Sequence, residues 1–291
     1  MPSQPGQEAP GPTVDLLAEN DWPAICRRIV AAQRELFDEV RGSEARTEYE
    51  GVGEGGDWAL VLDRRCEDVV FAELEKLATD GASFTAVSEE RGEVVFGDDP
   101  AAHVVIDPID GSLNVRRTLP SHSLSLAVAS GPSMSDVGFG YVYDFGAGEE
   151  FVAYRGDGAT LNGELLSGPP PQSDRALEVV GLEAAKPALM EGLVAALADD
   201  VYRLRVVGSL AITLCYVAAG RMDGMLSLRP ARSVDVAAAQ LIAEEAGATV
   251  AFGRGDLDQA GLGLDERYDV AAAWTDEGLR ILIHGQRQVS E

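Results

Sequence analysis

Cysteine and histidine are scarce in this 291-residue chain, which contains only three of each. Cys26, Cys66 and Cys215 form no C-x-x-C pair, and this spacing argues against both a disulfide framework and a zinc ribbon. We expect them to be small buried side chains. Since no two histidines are four residues apart, a histidine-rich transition-metal site is not expected either. A metal bound by this chain would therefore be held by oxygen ligands.

Long apolar runs are also missing, since none approaches the roughly 20 residues that cross a bilayer. The first 12 residues lack the charged segment leading into an apolar stretch that marks a signal peptide. The sequence therefore predicts a cytoplasmic protein without a membrane partner. Residues 1–20 are expected to form a disordered N-terminal tail.

Positive charge is in short supply, because the formal net charge is −26 and only two residues are lysines. Such a charge repels nucleic acid and anionic membranes, so neither is an expected partner. Many acidic residues with few lysines suggest a halophilic source, and a generic acidic enzyme is the alternative. Stability at low salt separates the two, because salt screens self-repulsion.

Helix and strand patterns recur along the rest of the chain. Apolar spacing predicts an amphipathic helix over about 21–41, a glycine-rich loop over 41–57, a short strand, and a helix over about 64–79. Short β-rich runs fill 84–154. Further strands are predicted near 201–207, 225–228, 248–251 and 269–273, with helices near 209–219, 236–246 and 276–284. A Gly-Pro-Pro-Pro stretch at 168–171 predicts a boundary between an α+β domain over 21–171 and an α/β domain over 172–291.

One octet, Asp107 to Asn114, combines the features of a metal and phosphate site. Asp107 and Asp110 follow a short apolar run, where a buried strand ends and the chain turns. Pro108 fixes one φ angle, Gly111 permits close backbone approach, and the amides after it can face an anion. Carboxylate oxygens suit a hard cation such as Mg²⁺. An ordinary Asp-Gly turn is the alternative for the dipeptide alone.

The octet closely resembles the signature of the inositol monophosphatase and fructose-1,6-bisphosphatase superfamily, and two other segments strengthen the resemblance. Glu89 and Glu90 follow a β-like run, as in the family's acidic pair, although such a pair can also be a solvated loop. Asp235 opens an alanine-rich helix like the family's second signature, although it could be a simple N-cap. Val234 stands where the family usually has tryptophan, which leaves the substrate open.

The resemblance implies a layered α-β-α-β-α sandwich, a homodimer and a site for two or three Mg²⁺ ions, with Mn²⁺ as a substitute. The implied metal-one ligands are Glu89, Asp107 and the Ile109 carbonyl. Asp107 would bridge to metal two, together with Asp110 and Asp235. The N-terminal domain would thus carry the main metal site and the C-terminal domain would supply Asp235 and substrate contacts. A loop aspartate, Asp57, is a candidate ligand for a third ion, or simply solvated. Glu90 would support the ligands or bind an additional ion.

The same resemblance assigns catalytic and substrate-binding residues. Asp63 and Ser112 would activate the attacking water with Glu89, and the amides of Gly111 and Ser112 would bind phosphate. Three further residues would line the substrate pocket: Ser209, which is also a candidate helix N-cap, Arg229 and Arg232. The arginines could equally be surface residues.

Three functions follow from this pattern. The first is a Mg²⁺-dependent phosphomonoesterase acting on inositol monophosphate, fructose 1,6-bisphosphate or both, as in the archaeal branch that the sequence most resembles. The second is a 3′-phosphoadenosine 5′-phosphate phosphatase, and the third is a non-catalytic metal-binding regulator. The complete set of carboxylates disfavours the regulator.

Overall fold

The computed structural model describes residues 16–40, 49–52, 54, 58–98, 100–166, 168–169, 176–253 and 257–289, with backbone alone at 49–52 and 58–60. Residues 1–15 of the predicted tail and Asp57 lie outside the described residues. Residues 16–20, also predicted as tail, instead form turns, and the carbonyl of buried Leu16 accepts a hydrogen bond from the indole of Trp22 at 2.8 Å.

Helices are interspersed with runs of strands along the described chain. The helices are α1 (Trp22–Glu39), α2 (Val61–Thr79), α3 (Ser112–Arg116), α4 (Pro187–Leu197), α5 (Leu210–Ala218), α6 (Ser233–Ala246) and α7 (Asp276–Gln286). The strands of the first half are β1 (Tyr49–Val52), β2 (Trp58–Leu60), β3 (Phe84–Ser88), β4 (Gly92–Phe96), β5 (His103–Asp110), β6 (Ser123–Ala129), β7 (Val137–Asp144), β8 (Glu149–Tyr154), β9 (Gly158–Leu161) and β10 (Glu164–Leu165). Those of the second half are β11 (Leu177–Glu183), β12 (Val201–Arg205), β13 (Gly224–Ser227), β14 (Ala231–Arg232), β15 (Thr249–Phe252), β16 (Arg267–Tyr268) and β17 (Val270–Ala273).

Two large sheets organise these elements. The first has the strand order β10-β9-β8-β7-β6-β5-β3-β4, and the second has the order β12-β11-β13-β17-β15. Neighbouring strands of the first sheet are antiparallel, except that β3 runs parallel to β5. In the second sheet β11 is parallel to both β12 and β13.

The layers stack as α-β-α-β-α, which confirms the predicted sandwich. Helices α1 and α2 cover one face of the first sheet, α5 and α6 lie between the sheets, and α4 and α7 cover the outer face of the second. Strand β5 is buried on both faces: Val104 and Ile106 pack toward α1 and α2, and Val105 packs toward the central helices. This explains why its sequence is continuously apolar rather than alternating.

The central helix α6 packs unusually close to the first sheet. A Cβ added at Gly140 of β7 would lie 2.6 Å from the carbonyl oxygen of Ala238 in α6. Glycine opposite small alanine side chains therefore allows the helix backbone to approach the strand. This packing holds the first turn of α6, with Asp235, against the end of β5.

Several predicted element boundaries are wrong. Helix α6 begins at Ser233 rather than 236, because the carboxylate of Asp235 accepts a hydrogen bond from the amide of Arg232 and adds a turn. Asp235 is thus the third helical residue and not the N-cap. Helix α2 begins at Val61 rather than 64, so Asp63 lies in its first turn instead of preceding it. The sequence patterns also did not predict β11 and α4.

The expectation for the cysteines is confirmed. Cys26, Cys66 and Cys215 are all buried and free. Among the described helices, none is both long and apolar enough to cross a membrane. The division into two domains at 171 stays a prediction. One buried cluster contains residues from both sides of that division, including Val105 of β5 and Val236 of α6.

Candidate active site

Three carboxylates converge at one edge of the first sheet. Glu89 follows β3, Asp107 lies near the end of the parallel strand β5, and Asp235 lies in the first turn of α6. Because β3 and β5 are parallel, their carboxyl ends meet at the same edge. One oxygen atom from each of the three side chains lies within 4.8 Å of the others. The structure therefore brings together three predicted ligands from three separate segments.

The signature turn interrupts the pairing of β5 with β6 between Asp107 and Asp110. Asp107 Oδ1 accepts a hydrogen bond from the Ile109 amide at 3.0 Å, which folds the turn around its own carboxylate. Asp110 instead faces the start of α5: its Oδ2 accepts hydrogen bonds from Ser209 Oγ at 2.6 Å and from the Ala211 amide at 2.7 Å. Asp110 is thus held beside the three-carboxylate group by the second half of the chain.

Burial and mutual repulsion disfavour the charged forms of these carboxyls. Burial, followed by the charges of Glu89, Asp110 and Asp235, raises the pKa of Asp107 well above its ordinary value. Burial and the Asp235 charge likewise raise the pKa of Asp110 to about 7. A cation among them would relieve both effects, because it compensates the desolvated negative charge.

Arg232 contributes positive charge to this cluster. Its Nη1–H group donates a hydrogen bond to Glu89 Oε1. Its Nε–H and Nη2–H groups donate hydrogen bonds to Asp235 Oδ1 at 3.2 and 3.1 Å, respectively. The sequence predicted a substrate contact for Arg232, but here it pairs with two of the predicted metal ligands. Arg229, the other predicted substrate arginine, is exposed.

Glu67 is a supporting residue that sequence reasoning missed. This carboxylate of α2 is 1% exposed and accepts hydrogen bonds from the Ser88 hydroxyl and from the amides of Glu90 and Arg91 at 3.3 and 3.1 Å. It thereby fixes the backbone on both sides of Glu89. A possible signal was its spacing four residues after Asp63, on the buried face of a helix.

Glu90 is the second member of the predicted acidic pair. Burial raises its pKa to about 8, with further contributions from Glu89, Asp63 and Glu67. The pair is therefore partly buried beside other carboxylates rather than a solvated loop.

Asn114, the last residue of the octet, ties the signature to the second half of the chain. Its Nδ2 donates to the carbonyl oxygens of Ser121, Val207 and Gly208 at 2.7, 2.9 and 3.3 Å. Because Ser209 follows directly, these contacts position the start of α5 next to the signature turn. Ser209 is the N-cap of that helix, as predicted, since its Oγ accepts from the Ile212 amide at 3.3 Å.

The predicted water-activating pair lies in two adjacent segments. Ser112 is the first residue of α3 and is half-buried, while Asp63 is 5% exposed in the first turn of α2. Leu62, one residue before Asp63, packs in one buried cluster with Ile109 and Val115, which flank Ser112 in sequence. The start of α2 is therefore packed against the signature turn and α3.

Gly111 is required by the geometry of the turn, which gives a first prediction. Its φ of +98° is left-handed, and an added Cβ would lie 2.9 Å from the Ser121 carbonyl oxygen and 3.1 Å from that of Gly208. Gly111→Ala should therefore destabilise the protein by more than the roughly 1–2 kcal/mol of the left-handed conformation alone. Gly163→Ala is the matched control, because its φ is +84° and its Cβ would meet nothing within 4 Å.

Urea unfolding and phosphate-release rates of the two variants check this prediction. Gly111→Ala should lose more stability than Gly163→Ala and should also lose activity. Equal effects of the two substitutions on both quantities would show that the close backbone approach is unimportant.

Comparison with known proteins assigns the fold and the site to a family. A model of the inositol monophosphatase family matches residues 24–286. The chain belongs to the inositol monophosphatase family. This membership confirms the resemblance noted in the sequence, and it makes the protein a phosphoric monoester hydrolase.

Individual relatives of this inositol monophosphatase family member cover most of its length. It is 31% identical over 262 residues to the fructose-1,6-bisphosphatase/inositol-1-monophosphatase of Methanothermobacter thermautotrophicus, covering 87% of this chain and 91% of that protein. It is 34% identical over 219 residues to the Nus factor SuhB of Haemophilus influenzae, covering 72% and 78%. A solved inositol monophosphatase-fructose 1,6 bisphosphatase aligns with a TM-score of 0.77 at 27% identity, covering 91% of this chain and 100% of that one.

Proposed function

We propose that this chain is a Mg²⁺-dependent phosphomonoesterase that hydrolyses inositol monophosphate, fructose 1,6-bisphosphate or both. The observation that carries the proposal is the convergence of Glu89, Asp107 and Asp235 within 4.8 Å, beside the Gly111-Ser112 turn. Names of the archaeal relatives support the choice of substrates.

The donor set of the site fits a hard divalent cation. Glu89, Asp107 and Asp235 offer oxygen ligands only, and their burial and repulsion give a reason to bind positive charge. We assign Glu89, Asp107 and the Ile109 carbonyl to metal one, and Asp107, Asp110 and Asp235 to metal two, with Mg²⁺ or Mn²⁺ as the ion. When bound, such ions supply a nucleophilic water and neutralise charge on the phosphoryl and leaving oxygens.

The chain's own groups then position the reaction. The Ser112 hydroxyl hydrogen-bonds the attacking water, and Asp63 orients that hydroxyl by accepting its proton in a hydrogen bond. The amides of Gly111 and Ser112 donate to the phosphate oxygens. We further propose that Ser209 and Arg229 contact the substrate's remaining groups and that Glu89 assists in holding the water.

Other expectations from the sequence remain proposals. We propose a cytoplasmic homodimer without nucleic-acid or membrane partners. A halophilic origin remains a hypothesis that the charge of −26 motivates.

The regulator alternative has one supporting observation, the 34% identity to a Nus factor. A regulator does not need a full set of metal ligands with a hydroxyl beside them. Here Glu89, Asp107, Asp110, Asp235 and Ser112 are all present. The phosphatase function therefore accounts for more of the site.

A phosphate-release assay on the purified chain tests the proposed function. The substrates would be inositol 1-phosphate, fructose 1,6-bisphosphate and 3′-phosphoadenosine 5′-phosphate, each with Mg²⁺ and with excess chelator. We expect Mg²⁺-dependent release from one or both of the first two. Preferential release from the nucleotide, or no release from any substrate, would reject the proposal.

The raised pKa values of Asp107 and Asp110 give a prediction for pH dependence. In the metal-free protein these carboxyls retain protons at pH values where the unfolded chain, with an aspartate pKa of about 3.9, has lost them. Since the folded state binds more protons, the metal-free stability should fall as pH rises from about 4 toward 8. Metal binding must release these protons, so Mg²⁺ affinity should rise over the upper part of that range.

Melting temperatures in chelator and in Mg²⁺, measured at pH 6 and pH 8, check the sign. Asp110→Asn should flatten the pH dependence in chelator, because it removes a carboxyl with a pKa of about 7. A metal-free melting temperature that increases with pH across this range would contradict the assignment of the buried charges.

A further inference from the structure

The guanidinium of Arg232 occupies the space between two predicted metal ligands. It bridges Glu89, 143 residues away in sequence, and Asp235, three residues away. The three side chains are only 12–16% exposed, so this is a largely buried ion pair rather than a surface contact. Arg232 is therefore built into the carboxylate cluster.

The oxygens that Arg232 engages are those a metal would need. Asp235 Oδ2 accepts a hydrogen bond from the backbone amide of Arg232 at 3.0 Å. Asp235 Oδ1 accepts hydrogen bonds from the Nε–H and Nη2–H groups of Arg232. Both oxygens of Asp235 are thus bonded to Arg232. A divalent cation coordinated by Asp235 Oδ1 would face a guanidinium a few ångströms away, and the two positive charges would repel each other.

A metal-free site also needs a positive charge. Asp107 is almost fully buried within the same cluster, and the whole chain carries a net charge of −26. Removing one partner of a buried ion pair is strongly destabilising, because it leaves an uncompensated charge. The Arg232 guanidinium supplies that compensation to Glu89 and Asp235.

We propose that Arg232 is an internal counter-cation that competes with the catalytic divalent ions, for Glu89 with metal one and for Asp235 with metal two. In the metal-free protein the guanidinium stabilises the cluster, and metal binding displaces it from both carboxylates. This inference rests on the proposed metal-dependent function for the identity of the ion. The displaced guanidinium is then available to an anionic group of the substrate, which is the role that the sequence predicted for it.

A structural role would give the opposite result. If Arg232 served to orient Glu89 and Asp235 for the metal, removing the guanidinium would loosen the ligands and weaken metal binding. If it competes, removal makes the same oxygens available and strengthens metal binding. The sign of the change in metal affinity therefore separates the two roles.

The test is calorimetric titration of Mg²⁺ and Mn²⁺ into chelator-treated wild type, Arg232→Gln and Arg232→Lys. Allosteric couplings between ligands commonly amount to about 5- to 150-fold, and on the same scale we expect Arg232→Gln to bind metal at least about tenfold more tightly. Arg232→Lys should be intermediate, because it keeps the charge but cannot present a planar fork to two carboxylates.

Arg221→Gln is the matched control. Arg221 also forms a two-pronged ion pair, with Glu149 at 2.6 and 2.7 Å, so this variant removes the same charge from another ion pair. It should leave metal affinity unchanged, which separates local competition from the change in net charge.

Thermal unfolding gives a second readout. In chelator the melting temperature of Arg232→Gln should fall below that of wild type, and the rise on adding Mg²⁺ should be larger, because tighter binding stabilises the folded state more. Unchanged or weaker metal binding by Arg232→Gln, or an equal gain in Arg221→Gln, would overturn the competition. Both measurements use no substrate, so failure of the phosphatase assay alone would reject the proposed function and leave this inference standing.

Discussion

Asp107→Asn is expected to lower kcat by about 10³-fold or more, because Asp107 lies at the centre of the carboxylate cluster. A bound cation supplies several kcal/mol of transition-state stabilisation, and each 1.36 kcal/mol corresponds to a tenfold change in rate. In the wild type Asp107 Oδ1 accepts a hydrogen bond of 3.0 Å from the Ile109 amide. The side-chain oxygen of asparagine can accept the same hydrogen bond, so the turn should be retained. The measurements are phosphate release at saturating Mg²⁺ and calorimetric metal binding.

The same substitution should have an unusual effect on stability. Asp107 is buried, and the charges of Glu89, Asp110 and Asp235 repel its own. Folding of the metal-free protein must keep this buried carboxyl protonated or bury its charge, and both cost free energy at neutral pH. The neutral asparagine should therefore raise the melting temperature in chelator while eliminating most of the stabilisation by Mg²⁺. An unchanged kcat with normal metal binding would show that Asp107 is not a ligand.

Asp144→Asn is the control for this experiment. Asp144 is also buried, but its carboxylate accepts hydrogen bonds from the amides of Gly146 and Ala147 and from the Tyr216 hydroxyl at 2.8–3.0 Å. An asparagine there cannot accept all three bonds, so stability should fall while metal binding is retained. In chelator the melting temperature should therefore rise in Asp107→Asn and fall in Asp144→Asn.

Ser112→Ala should reduce kcat by about 10²–10⁴-fold, which is the usual scale for proton-transfer assistance, and should change KM little. The substitution removes the hydroxyl proposed to hold the attacking water and leaves the backbone amide for the phosphate. Asp63→Asn should have a similar effect, because Asp63 is proposed to act through that hydroxyl. Ser112→Thr keeps the hydroxyl and should remain active.

The double variant of Asp63 and Ser112 distinguishes a pair from two independent contributions. Residues that act as a unit are non-additive, so the double variant should be little slower than either single variant. The packing of α2 against the signature turn and α3 supports the pairing. A double loss equal to the product of the single losses would mean that another group activates the water.

The clustering of these acidic residues could be predicted because each lies in a short local motif. Asp107 and Asp110 follow an apolar run that becomes β5, and Asp235 opens an alanine-rich segment that becomes α6. The predicted layers are also correct, because they follow from the family that these motifs resemble. Strands and helices around the motifs were predicted to within a few residues where the apolar patterns were long.

Contacts between distant segments were not predictable in the same way. Arg232 was assigned to the substrate, because nothing in its neighbourhood indicates a pairing with Glu89 across 143 residues. Glu67 was missed because its local signal, the four-residue spacing from Asp63, does not by itself show that a carboxylate in a charged helix is buried. The early start of α6 depended on one hydrogen bond between Asp235 and the Arg232 amide, which helix propensity does not report.

The central claim is that Asp107 and its neighbouring carboxylates bind the divalent ion that hydrolysis requires. The most direct test is the Mg²⁺ dependence of phosphate release from inositol 1-phosphate and fructose 1,6-bisphosphate by wild type and Asp107→Asn. Wild type should be inactive in excess chelator and regain activity saturably as Mg²⁺ is restored, while Asp107→Asn should stay nearly inactive at every concentration. Chelator-resistant hydrolysis by wild type, or full activity of Asp107→Asn, would contradict the account.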